Sequence, residues 1–102
     1  MDEKTIESLW KILQHYGPRH QIAKAIEELS ELQTELAKSL NGDGSTGDLL
    51  SECADVFVML IEVMAVYDID MERFNEEVEF KVFRQISRIQ IEKQINTNKE
   101  ER

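Results

Sequence analysis

Two short segments of the chain concentrate acids at helical spacing: Glu27-Glu28-Leu29-Ser30-Glu31 and Glu52-Cys53-Ala54-Asp55. On a helix, residues three apart leave one face about a turn from each other, so Glu28 and Glu31 form one pair and Glu52 and Asp55 another. If the two segments pack as an antiparallel hairpin across the loop at 41–47, the pairs face each other. Four carboxylates in one place repel and are costly to desolvate. Hard divalent cations remove both costs, and an all-oxygen donor set selects magnesium, manganese or calcium over zinc. Glu-x-x-Glu also occurs on ordinary solvated helix faces, and helix two alone reads that way. Asp55 is harder to dismiss. It borders the all-apolar run Val56 to Ile61, where an acid without a partner is expensive.

The elements that must position these acids follow from the apolar periodicity. A first helix is expected over Glu3 to His15, with Ile6, Leu9, Trp10 and Leu13 on one stripe. Tyr16-Gly17-Pro18-Arg19 breaks it, and Pro18 suits the opening turn of the next helix. Helix two runs from about His20 to Leu40, and the Gly-rich loop 41–47 ends it. Helix three covers about Asp48 to Tyr67. Its stretch Val56 to Ile61 leaves no face for water, which demands more cover than so short a chain supplies. An obligate homo-oligomer, dimer or tetramer, is therefore expected. Helix four starts near Asp70 or Met71 and is expected to carry Phe74, Val78, Val82, Ile86 and Ile89 inward. The reading is thus all-α, a four-helix up-down chain that pairs with other subunits into a helical bundle. One domain spans 1–95, and the polar tail 96–102 is expected to fray.

Composition bounds the function. With 102 residues the chain is one domain by size, and 41% apolar with 32% charged residues is a globular composition. A formal net charge of −9 disfavours nucleic-acid polymers and anionic membranes as partners. The segment Cys53 to Val66 is interrupted by Asp55 and Glu62 and is too short to span a bilayer. Cys53, the single cysteine, reads as a small core residue in a reducing compartment, and a cytoplasmic location is expected.

Lys81, Arg84 and Arg88 lie at i, i+3 and i+7 of helix four, a cationic stripe on an acidic protein. Arg grips phosphate oxygens with two parallel hydrogen bonds and Lys acts as a point charge. A solvated face with Glu77 and Lys81 paired at i,i+4 is the alternative. Gln21 and Tyr16 are candidates to approach a base or sugar, or to shape the turn. His15 and His20 lack metal-ligand spacing and read as surface or capping residues, Trp10 as core or subunit contact, and Met59, Met64 and Met71 as core packing. Asn41, Asp43, Ser45 and Glu52 fall at calcium-loop positions, but Thr46 stands where that loop needs Gly.

Taken together, the order Glu-Glu-x-x-Glu, 20 residues, Glu-x-x-Asp resembles the signature of the MazG-like nucleotide pyrophosphohydrolases. Tyr16-Gly17, Gln21, Ile26 to Leu32, Glu52 to Val56 and Phe80 to Ile89 resemble its small single-domain bacterial and phage members, so the likeness covers about residues 16–90. The resemblance implies an all-α fold whose subunits pair. It also implies Mg²⁺-dependent hydrolysis of a nucleoside triphosphate, ribo or deoxy, to the monophosphate and pyrophosphate, with Mn²⁺ as a substitute. By that pattern the acids of the active site are Glu27, Glu28, Glu31, Glu52 and Asp55. Glu28, Glu31, Glu52 and Asp55 would ligate the metal, and Glu27, about 100° away from Glu28 on an ideal helix, would support it. It strengthens phosphate contact for Lys81 and Arg84, and less so for Arg88. House-cleaning of the nucleotide pool is a role implied by resemblance alone. The non-enzymatic rival is a helical dimerisation or regulatory module with the same fold and an inert acidic surface.

Overall fold

The computed structural model describes residues 1–100, and these form four helices: α1 (Glu3–Tyr16), α2 (Pro18–Leu40), α3 (Thr46–Val66) and α4 (Met71–Glu100). No strand occurs among the described residues, so the all-α class holds. No described helix is long and apolar enough to cross a membrane.

Local chemistry sets the helix ends. Asp2 Oδ1 accepts from the Thr5 amide at 2.8 Å and caps α1. Gly17 alone separates α1 from α2, at φ 86° and ψ 161°. That backbone region is open essentially only to glycine, and a side chain there costs about 1–3 kcal/mol. Pro18 then takes the first position of α2, two residues ahead of the expected start, where its missing amide hydrogen costs nothing. Ser45 Oγ accepts from the Asp48 amide at 3.1 Å, so α3 begins at Thr46. Only residues 41–45 separate α2 from α3. A twelve-residue calcium loop has no room there.

The chain divides into two compact units, one of Met1–Asp68 and one beginning at Ile69. In the first, α2 and α3 pack along each other and α1 lies against both. Leu9, Leu13, Ala25, Val56, Met59 and Met64 form its buried apolar core. That core is thin. Phe57 remains 57% exposed and Leu60 46%, because the apolar run of α3 has more faces than α1 and α2 cover, and Ile26 on α2 is 63% exposed. Cys53, expected in the core, is exposed, about 60° round α3 from Val56 and about 120° from Met59 on an ideal helix, outside the strip that holds those buried residues. Trp10 is half exposed, so it is not part of the buried core of this chain.

The second unit is α4. It runs to Glu100, past the end expected at 95, and of the tail expected to fray, residues 101 and 102 lie outside the described residues. None of its residues is buried. Phe74, Val78, Val82, Ile86 and Ile89, expected to point inward, and Met71, expected to pack in the core, are all substantially solvent-exposed in the chain.

Candidate functional site

The site is built on the facing sides of α2 and α3. Gln21 near the start of α2 meets Glu62 near the end of α3, and Glu31 farther along α2 meets Glu52 near the start of α3. The pairing fixes an antiparallel register in which the acid motifs face one another. Carboxylate oxygens of Glu28, Glu31 and Glu52 all lie within 4.8 Å of one another. Glu28 is 7% exposed, Glu52 is half-buried and Glu31 is exposed.

Like charges crowd here. The Glu31 carboxyl is held above its ordinary 4.5 by a hydrogen bond shared with Glu28, then by the Glu28 charge, with desolvation and the Glu52 charge adding. Glu28 Oε2 and Glu52 Oε2 are buried without a hydrogen-bond partner. Two orphaned carboxylate oxygens and a third acid within reach fit a hard divalent cation, which neutralises the repulsion and takes the unpartnered oxygens as ligands.

Asp55 and Glu27 are placed differently. Neither belongs to that three-acid group; both line, with Glu28, a neighbouring cleft of about 510 Å³. Asp55 is exposed, so the burial cost read from its apolar neighbours does not arise. Lys24, overlooked in the sequence, sits in the same cleft. Its Nζ lies 3.3 Å from Glu28 Oε1 and 3.5 Å from Glu27 Oε1. The signal was present, since Lys24 is four residues before Glu28. Hydrogen bonding to Glu28, then the Glu27 charge, raises the Lys24 ammonium above its usual range.

At the cleft's other end Gln21 is 3% exposed and its Nε2 donates to Glu62 Oε2 at 2.9 Å. Gln21 Oε1 lies 2.7 Å from His20 Nδ1, and an amide oxygen only accepts, so Nδ1 carries the proton in this arrangement. His20 stacks on Tyr16 with ring centroids 4.6 Å apart and planes at 14°. Glu62 is only 1% exposed, and its Oε1 has no partner. In the sequence Glu62 stands out only as an interruption of an apolar segment. An acid inside the most apolar helix, spaced from Asp55 as Gln21 is from Glu28, was the usable sign.

On α4 Lys81 pairs with Glu77 at 3.6 Å, both exposed, which is the solvated-face arrangement. Arg84 lies over the Phe80 ring at 5.9 Å, and Arg88 is exposed.

Among known proteins, this chain is similar to the phosphoribosyl-ATP pyrophosphatase of Methanocella arvoryzae, at 36% identity over 64 residues. The alignment covers 63% of this chain and 66% of that relative, just under two thirds of its length. No family model matches the chain, and no solved structure matches it.

Proposed function

We propose that this chain, which belongs to the MazG-like all-α nucleoside triphosphate pyrophosphatase superfamily, is a Mg²⁺-dependent nucleoside triphosphate pyrophosphohydrolase. The observation that carries the reading is the convergence of Glu28, Glu31 and Glu52 with two buried carboxylate oxygens left unpartnered.

In this reading Glu28, Glu31 and Glu52 hold magnesium, with Asp55 as a further ligand from the adjoining cleft and Glu27 as a supporting acid. Mn²⁺ would serve the same donor set. The ion supplies positive charge for phosphate oxygens and acidifies water when bound. The chain's own residues do the rest. The antiparallel register fixes the acids on two rigid helices, which sets where a triphosphate can lie. Lys24 offers a cation in the cleft for phosphate oxygens. Lys81 and Arg84, and more weakly Arg88, are proposed as further phosphate contacts on charge and family pattern. Water attacks the α-phosphorus in line, and pyrophosphate leaves carrying the electron pair of the broken bond. Gln21 is proposed to contact the nucleotide.

We further propose a homo-oligomer, because Phe57, Leu60 and Ile26 are apolar residues left at 46–63% exposure in a chain with a thin core. A single domain over 1–95 and a cytoplasmic location belong to the same proposal.

The relative's name favours a second substrate, phosphoribosyl-ATP. The test is a panel of canonical and modified triphosphates plus phosphoribosyl-ATP, with Mg²⁺ and product identification. Monophosphate and pyrophosphate from a triphosphate support the main reading. Turnover of phosphoribosyl-ATP alone supports the second. A nucleoside diphosphate with free phosphate as products contradicts both, and a chain that is inert and blind to metal is the regulatory module.

A further inference from the structure

The cleft beside the acids ends on a carboxyl that the proposed chemistry does not use. Glu62 is 1% exposed, its Oε2 is taken by Gln21 Nε2, and its Oε1 is buried and unpartnered. A buried carboxyl oxygen without a partner is uncommon and calls for a donor. The geometry points to a nucleobase subsite in which Glu62 Oε1 accepts from an exocyclic amino group of the base, so that cytosine and adenine nucleotides are taken over their oxo counterparts. This rests on the hydrolase reading for where the phosphates lie.

Position, surroundings and chemistry each support it. Glu62 lies seven residues beyond Asp55 on α3, and Gln21 seven before Glu28 on α2. Seven residues are two turns, about 10.5 Å along a helix. That separation suits one nucleotide with its α-phosphorus by the acids and its base edge at the Gln21–Glu62 pair. Tyr16, His20 and Met59 line the same cleft. Tyr16 is 53% exposed and stacks one ring face on His20, a flat aromatic unit beside which a base can lie. Enclosure of a base by aromatic and apolar side chains, with hydrogen bonds to its Watson–Crick edge, is how enzymes read single bases.

The choice of amino over oxo follows from how deeply Glu62 is set. An ionised carboxyl only accepts. An amino group projects beyond the ring and reaches a recessed oxygen. The ring N–H of uracil sits between two carbonyls, and presenting it would press a carbonyl oxygen toward the carboxylate. Gln21 Nε2 has a second hydrogen beyond the one given to Glu62, and cytosine and adenine carry an acceptor ring nitrogen beside the amino group. His20 acts one step removed, by holding the Gln21 amide in the orientation that points Nε2 at Glu62.

The experiment uses two matched pairs, CTP with UTP and ATP with ITP, which differ by amino against oxo at one ring carbon. Ratios of kcat/KM are measured with Mg²⁺ for the full chain and for Glu62→Gln. Equilibrium binding of the α,β-methylene analogues of CTP and UTP is measured in parallel. The unaltered protein is expected to favour the amino member at least about tenfold, and Glu62→Gln to bring the ratio near unity. Equal use of both members by the unaltered protein, or a Glu62→Gln variant slowed equally on all four, overturns the inference while the hydrolase reading stands. Preferential binding of the cytosine analogue without turnover of CTP upholds the subsite and sinks the hydrolase reading instead. Analogues that do not bind at all overturn the subsite.

Discussion

Lys24 Nζ lies 3.3 Å from Glu28 Oε1, one helical turn earlier on α2, so the most buried acid of the cluster already holds a cation. The ammonium offsets charge that a divalent ion would otherwise neutralise, and the two compete for Glu28. Lys24→Met is expected to tighten divalent-cation binding several-fold in the nucleotide-free protein and to raise KM for the triphosphate. Calorimetry and steady-state kinetics check this. Metal affinity that stays the same or weakens would show that Lys24 and the metal do not share Glu28.

Glu31 makes the metal-free protein sensitive to pH. Its folded-state carboxyl titrates above the ordinary 4.5, chiefly because of Glu28. The folded chain therefore holds this proton more tightly than the unfolded one. The stability this contributes is complete below about 4.5, and it is lost as pH rises through the raised folded value. Magnesium takes the place of the proton, so Mg²⁺ should raise Tm more at neutral pH than at pH near 4.5. Glu31→Gln should shrink that pH-dependent difference. A Mg²⁺ effect on Tm that is equal at both pH values in the unaltered chain would contradict the assignment.

Glu52 and Asp55 differ in setting, one inside the three-acid group and one in the adjoining cleft. Alanine at either is expected to lower Mg²⁺-dependent turnover on the order of 100-fold or more, since a metal's transition-state stabilisation amounts to several kcal/mol. Circular dichroism should show the helices intact. Full activity in either variant would remove that residue from the site.

Phe57 and Leu60 lie on α3 beyond the cover of α1 and α2. Burying such a side chain is worth about 2 kcal/mol, so several together support a stable assembly. Sedimentation at micromolar concentration should find a dimer or larger, and Phe57→Asp should dissociate it and lower Tm. A chain that is monomeric throughout would leave this apolar surface without an explanation.

Helix positions and the acid motifs were legible because both depend on spacing within one helix. Ser45, Gly17 and Pro18 moved boundaries by only a residue or two, since capping chemistry is local. The pairing of Gln21 with Glu62 was not legible. It depends on the register between α2 and α3, which no single helix encodes, and a lone acid in an apolar run reads equally well as a break in the pattern. The exposure of Asp55 was not legible for a related reason: adjacency to Val56 in sequence does not set burial, because consecutive residues on a helix point about 100° apart. For α4 the apolar seam was visible, but what would cover it was not, and its residues stay exposed in the chain.

The measurement closest to the central claim is a Mn²⁺ titration followed by electron paramagnetic resonance, without nucleotide, on the unaltered chain and on Glu28→Gln and Glu52→Gln. The account predicts saturable binding that Mg²⁺ displaces and that either substitution weakens strongly. Binding that is absent, or equally strong in all three proteins, would show that Glu28, Glu31 and Glu52 converge without holding an ion.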